Sequence, residues 1–506
     1  MEVAMDKEKI SLSPMLNAYP DSLGGTLSDI AALLARPEAQ GAFGAFYILP
    51  SLFHSDLDRG FCVVDYGLNE ELATEQDIKA LQGLGIDLKL DFVLNHLSVQ
   101  SKQFQSLIKE GDASPYRDFF IDWNKFWEGH GTMTEEGYIQ PDPECIKDMF
   151  FRKPGLPILM LEFPDGKKHP YWNTFYQSVT EDENGNKHYL GQMDLNIRSQ
   201  KVWDFYDEVL GQLSGYGARI VRLDAFAYAP KEVGARNFLN EPGTWDLLEK
   251  VRQLAEPKNL SLLPEIHESY GQKTYEKIAD KGYMVYDFFL PGLMIDALER
   301  RDAGRLAAWA QEILDKGMVT VNMLGCHDGI PLLDLKGLLP EEEIQALIDT
   351  VVARGGYVKD LHGAKNMYYQ VNATYYSALG EDDRKMLMAR AVQLFMPGKP
   401  QVWYLDLFAG KNDHEAVAKA GPGGHKEINR TNLTAAMIEE SLKKEVVQKQ
   451  LELLKFRNSC KAFCTGAKIT VENPFPEKLV ITWEAGGECA KLEADLKTME
   501  YTVSTK

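Results

Sequence analysis

Short apolar runs alternate with amphipathic helical stretches along most of the chain. Residues 15–19, 43–49, 86–94 and 217–224 read as strands, and so do 260–267, 283–287, 319–324 and 401–404. Between them, apolar residues recur at helical spacing over 26–36, 74–84, 244–254, 273–281, 293–314 and 384–395. One more helix opens at Ser199, a suitable N-cap, with Val202, Phe205, Val209 and Leu213 on one face and Gly215 and Gly217 near its end. A helix over 442–456, apolar at Leu442, Val446, Leu451 and Leu454, follows the eighth strand. Eight such β–α units predict an α/β fold, a closed (β/α)8 TIM barrel with a parallel sheet.

The rhythm lapses twice. Residues 95–195 are rich in Trp, Tyr, Phe, Pro and Gly and hold a polar turn at 181–187 with a hairpin-type Asn184-Gly185, which suits an inserted subdomain better than a loop. Residues 330–379 form a second irregular stretch. After residue 462 the pattern turns to strand alternation at 468–471, 479–483 and 489–492, a small antiparallel β domain. The barrel is therefore expected over 1–94, 196–329 and 380–462, interrupted by the two insertions and followed by 463–506.

Composition narrows the function. A 506-residue chain that is 44% hydrophobic can bury a large core. Its net charge of −20 comes without a basic stripe, which argues against nucleic acid and anionic membranes as partners. Met1 to Ile10 is charged and lacks an apolar signal core, and no run reaches membrane-span length, so a cytoplasmic protein is expected. The six cysteines are scattered and read as free thiols; Cys460 and Cys464 have no second pair to complete a zinc site.

Candidate chemistry gathers at strand ends. The run Ile220-Val221-Arg222-Leu223-Asp224 is almost continuously apolar, and a period of two sends Arg222 and Asp224 off the same face. A carboxylate beside a permanent cation stays ionised, which suits a nucleophile; it suits a structural ion pair equally well. Glu265 and Asp328 close two further strands, so three acids are expected at the C-terminal mouth where barrel enzymes keep their chemistry. Retaining glycoside chemistry needs a nucleophile and a proton donor roughly 5 Å apart. Glu265 follows Leu262-Leu263-Pro264, an apolar run that favours a neutral carboxyl and hence the donor.

These motifs identify a resemblance. The chain resembles the sucrose phosphorylase subfamily of the alpha-amylase family. It does so through Tyr19-Pro20-Asp21-Ser22-Leu23-Gly24, Asp58-Arg59-Gly60-Phe61, Asn95-His96, Arg222-Leu223-Asp224-Ala225, Glu265-Ile266-His267 and His327-Asp328-Gly329-Ile330. Later blocks agree: Tyr369-Gln370-Val371-Asn372, Tyr375-Tyr376-Ser377-Ala378-Leu379, Ala409-Gly410-Lys411-Asn412-Asp413 and Ile428-Asn429-Arg430.

The resemblance implies Asp224 as nucleophile, Glu265 as general acid/base and Asp328 as transition-state stabiliser. It implies a glucosyl pocket of Asp58, Phe61, His96, Phe175, Gln192, Arg222, His327 and Arg430. Phosphate and acceptor would meet Arg152, Lys153, Tyr228, Met367, Tyr369 and Gln370, although Arg152 and Lys153 read equally well as a solvated basic pair. The implied substrates are small molecules: an alpha-glucoside, inorganic phosphate and glucose 1-phosphate. No cofactor and no metal is implied, and oligomeric state is not legible.

Three departures fall on the acceptor side. The subfamily commonly has Arg at the position of Lys153, Leu-Asp where Asn366-Met367 stand, and a shorter loop between Phe175 and Gln192. Tyr369, instead of a histidine, speaks mildly against a phosphorylated sugar, so sucrose ranks first, followed by glucosylglycerol or glucosylglycerate, with sucrose 6'-phosphate also considered. A hydrolase using water with the same three acids, and a non-catalytic sugar-binding barrel, are the competing readings.

Overall fold

A computed structural model of the chain describes residues 10–358, 370–421 and 423–505. Eight parallel strands carry the fold: β1 (Met15–Ala18), β2 (Ala45–Ile48), β3 (Asp87–Val93), β4 (Ala218–Asp224), β5 (Ser261–Pro264), β6 (Val285–Asp287), β7 (Thr320–Met323) and β8 (Lys399–Trp403). Their order in the sheet is β5-β4-β3-β2-β1-β8-β7-β6. Met15 of β1 is in register with Ala45 of β2 on one side and Gln401 of β8 on the other, so the first strand pairs with the last. That pairing is the connectivity of a (β/α)8 barrel.

The chain divides into two compact units, and the division falls within β3. The first comprises Met1–Ile48, Gln76–Leu88 and His267–Lys506, and the second Leu49–Glu75 and Lys89–Ile266. In the first, Thr26 opens the helix Leu27–Leu34 through a reciprocal capping box with Asp29, a device worth about 1 kcal/mol. The buried Arg457 donates to the carbonyls of Leu394, Gly398 and Leu12, tying the helix Glu445–Ser459 to the loop before β8. A four-stranded antiparallel sheet closes the chain, and its Trp483 donates Nε1 to the Phe395 carbonyl at 2.8 Å.

In the second unit, β4 and β5 pair in register, Arg222 against Leu263 and Leu223 against Pro264. Residues 95–195 supply antiparallel pairs, among them the hairpin Gln177–Glu181 with Lys187–Asp194 that turns at Asn184-Gly185 as the sequence predicts. Among the described residues, no helix is long and apolar enough to cross a membrane.

Several expectations need correction. The stretch 293–314 is two helices, Leu290–Arg300 and Gly304–Asp315, because Arg301 takes a left-handed conformation (φ 57°) that ends the first. Likewise 442–456 divides into Ala435–Leu442 and Glu445–Ser459. The supposedly irregular 330–379 contains the helix Glu341–Ala353, which buries Ile344, Leu347, Ile348 and Val351. The terminal sheet gains a fourth strand, Glu500–Thr505. The six cysteines are free, as expected.

Candidate active site

The last residue of β4 is Asp224, and the period of two places Arg222 beside it as expected: Nη1 of Arg222 lies 2.9 Å from Asp224 Oδ1. The same nitrogen lies 2.6 Å from Asp91 Oδ1 on β3, and Nη2 is 3.4 Å from Glu265 Oε1. One buried guanidinium thus serves three carboxylates. Glu265 stands one residue beyond β5 instead of closing it, and its amide donates to the Leu223 carbonyl at 3.2 Å, which sets it alongside the end of β4. From sequence, Arg222 was expected beside Asp224 and an apolar run before Glu265; the structure adds that Arg222 reaches both acids.

Asp224 is fixed at its backbone as well. Its carbonyl accepts from Leu94 N–H at 3.2 Å, and Ala225 turns left-handed (φ 52°) directly after it. An alanine in that region is strained, and such strain collects at functional turns. Asp224 and Glu265 are each partly open, with side chains 16% and 15% exposed, while Arg222 is 4% exposed. A reagent can reach the acids and not the cation that orients them.

The remaining predicted pocket residues of this unit form a connected wall. Phe61 is buried with the Arg222 guanidinium 5.5 Å from its ring centroid. It follows a turn of three left-handed residues, Asp58, Arg59 and Gly60, and Asp58 is exposed at its start. Gly60 is obligatory there, because a Cβ would meet Ser51 N at 2.1 Å. His96 Nε2 lies 3.0 Å from the Phe61 carbonyl, which makes it the donor, and Gln192 Nε2 donates to the same carbonyl at 3.2 Å. Burial pushes the His96 pKa down, keeping the ring neutral. Phe175 lies 4.9 Å from the His96 ring and 5.2 Å from Tyr228.

Arg152 extends that wall: Nη1 donates to the Tyr228 hydroxyl at 2.9 Å, and the guanidinium lies 5.0 Å from the Phe175 ring centroid. Lys153 donates to Asn173 Oδ1, and burial pushes its pKa down to about 8. The basic pair is therefore built into the wall and is not a solvated patch.

The first unit carries a second group of predicted residues. Asp328 lies beyond the end of β7, not at it. His327 Nε2 is 3.1 Å from its Oδ2, Lys426 donates to its Oδ1, and Arg430 Nη2 is 3.8 Å away. Burial pushes the Asp328 carboxyl up, but the charges of His327, Lys426 and Arg430 outweigh it and hold the group well below the usual carboxylate range. Arg430 Nε also donates to the His327 carbonyl at 2.9 Å. Gln370 Nε2 lies 3.3 Å from His267 Nε2, whose Nδ1 is 3.3 Å from Asp334 Oδ1. Met367 and Tyr369 lie outside the described residues.

Sequence reasoning missed two partners. Asp91 was legible in principle, since Asp87, Lys89 and Asp91 recur at every second position of an otherwise apolar strand. Lys426 carries no local signal; only the tertiary fold brings it to Asp328.

Comparison with known proteins decides the family. Residues 42–291 match the model of the alpha-amylase catalytic domain. Over 97% of this chain and 95% of the relative, the sequence is 54% identical to a sucrose 6(F)-phosphate phosphorylase of Ilumatobacter coccineus. It is 35% identical to a sucrose phosphorylase of Streptococcus mutans over 97% of both chains. The chain belongs to the sucrose phosphorylase subfamily of the alpha-amylase family. It is accordingly a phosphorylase-type, glycosyl-transferring enzyme. The crystal structure of a subfamily member, the sucrose 6F-phosphate phosphorylase of Thermoanaerobacter thermosaccharolyticum, matches with a TM-score of 0.88 at 34% identity, covering 99% of this chain and 97% of the other.

Proposed function

We propose that this enzyme catalyses reversible phosphorolysis of a sucrose-type alpha-glucoside through a covalent glucosyl-Asp224 intermediate. The observation that carries the reading is the Arg222 guanidinium shared by Asp224 and Glu265 at the ends of adjacent strands. In the first displacement an Asp224 carboxylate oxygen attacks the anomeric carbon, the glycosidic C–O bond breaks, and the Glu265 carboxyl gives its proton to the departing oxygen. In the second, a phosphate oxygen attacks the same carbon, the Asp224 ester bond breaks, and Glu265 takes the proton that phosphate loses. Two inversions return the alpha configuration and yield alpha-glucose 1-phosphate. In the second unit, Phe61, His96, Phe175 and Gln192 are assigned to the glucosyl ring; in the first, Asp328, kept ionised by its three cationic neighbours, is assigned to transition-state stabilisation, with His327 and Arg430 beside it.

For the leaving sugar, fructose 6-phosphate is the leading reading and fructose the second. The 54% identity to a sucrose 6(F)-phosphate phosphorylase supports the former, against 35% to a sucrose phosphorylase. Two adjacent cations, Arg152 and Lys153, on the wall beside Phe175 and Tyr228 suit a dianion. The sequence argument that put sucrose first rested on Tyr369, which lies outside the described residues. The insertions over 95–195 and 330–379 carry these acceptor residues in the proposed organisation.

The test incubates enzyme with sucrose 6F-phosphate or sucrose in phosphate buffer. Alpha-glucose 1-phosphate should form, faster from the phosphorylated donor, and Asp224→Asn should stop it while leaving the circular dichroism unchanged. Free glucose without glucose 1-phosphate would make the enzyme a hydrolase.

A further inference from the structure

The second unit buries a cation that none of these steps uses. The Lys231 side chain is 1% exposed, and its ammonium meets oxygens on its own segment and on two others far away in the chain. Nζ lies 2.6 Å from the Tyr228 carbonyl, 3.1 Å from Asn95 Oδ1 and 2.7 Å from Asp194 Oδ2. The Trp172 ring centroid lies 5.4 Å from it. Asp194 in turn accepts from the Thr174 amide at 2.8 Å, the Thr174 hydroxyl at 2.7 Å and Asn95 Nδ2 at 3.1 Å.

Each segment held this way continues into a wall of the proposed pocket. Asn95 precedes His96, Thr174 precedes Phe175, Asp194 ends the strand that carries Gln192, and Tyr228 holds Arg152. Charge balance for Asp194 would need one contact. Contacts that join the Asn95 and Asp194 segments to its own fix a geometry, because a compact ammonium donates to each oxygen only along its own N–H direction.

We propose that Lys231 is a positioning residue, whose ammonium sets the spacing of the His96, Phe175, Gln192 and Tyr228–Arg152 walls without touching substrate. The inference rests on the pocket assigned above. A wall displaced by about 1 Å is enough to slow an oriented reaction by on the order of 100-fold.

The test compares two variants with wild type in alpha-glucose 1-phosphate formation. The double variant Lys231→Met with Asp194→Asn removes both buried charges together, so no lone ion is left to unfold the protein. Lys231→Arg keeps the charge but changes donor geometry, and it decides the matter if the double variant does not fold. Positioning predicts a folded protein by circular dichroism whose kcat/KM falls about 100-fold, with both limbs of the pH–rate profile unmoved because Asp224 and Glu265 are untouched. A kcat/KM within twofold of wild type in a folded variant overturns the inference, as does a displaced pH profile. Wild type inactive on every glucoside would instead refute the proposed function, which keeps the two failures apart.

Discussion

Replacing Arg222 by methionine removes the guanidinium on which Asp91, Asp224 and Glu265 converge, while retaining much of the apolar stem. The Asp91 side chain is fully buried, and breaking a buried pair by deleting one partner costs about 3–5 kcal/mol. The urea midpoint of Arg222→Met should fall accordingly. Adding Asp91→Asn takes away the stranded charge and should return most of that stability, since neutral replacement of a buried pair is close to neutral in free energy. Activity should follow a different course. A hydrogen bond to a charged group is worth about 1.5–3 kcal/mol, so loss of the Asp224 contact slows kcat by on the order of 10- to 100-fold. That loss should persist in the double variant, because Asp91→Asn restores nothing at Asp224. Paired urea unfolding and glucose 1-phosphate assays on the three proteins read both quantities. If activity returns together with stability, Arg222 merely balances Asp91 and has no part in aiming the nucleophile.

Raising the pH through about 8 should discharge Lys153, so KM for inorganic phosphate and for sucrose 6F-phosphate should climb on the alkaline side while KM for uncharged sucrose holds, and Lys153→Arg should flatten the climb. A phosphate KM independent of pH between 7 and 9.5 would remove Lys153 from that role. Burial pushes the Asp406 carboxyl up to about 7, against an Arg390 contribution that lowers it. A carboxyl raised on folding adds stability below its unfolded pKa and loses it as pH rises through the folded value. Wild type should therefore lose stability, on the order of a few kcal/mol, relative to Asp406→Asn between pH 4 and pH 7, measurable as diverging urea midpoints. Gly60→Ala drives a Cβ into Ser51 N at a left-handed φ of 112°, so it should lower the unfolding midpoint and raise the donor KM through Phe61; an unchanged KM would separate the turn from the pocket.

What could be read from sequence was what local periodicity controls. Alternation along β4 was enough to place Arg222 beside Asp224, and strand counting was enough to bring Glu265 to the neighbouring strand. Boundaries set by one residue's dihedral angle were not legible. Arg301 ends a helix in a left-handed conformation with neither Gly nor Pro to announce it. The helix Glu341–Ala353 was hidden because the stretch around it looked irregular, although Glu341, Glu342 and Glu343 at its first turn are a favourable start. Asp91 could be noticed from its strand pattern, but its pairing with Arg222, like that of Lys426 with Asp328 and Lys231 with Asp194, joins residues tens of positions or more apart and is set by the folded chain.

The bond from the Leu94 amide to the Asp224 carbonyl belongs to the main chain, so exchange of side chains leaves its two groups in place. The carboxylate proposed as nucleophile is thereby anchored in the sheet, whereas Arg152, Lys153 and the hairpin from Gln177 to Asp194 sit on connecting segments that can vary in length and charge. Under the proposed roles, new leaving groups can be recruited by rewriting those segments alone, with the bond-breaking apparatus carried over unaltered from one glucoside to the next.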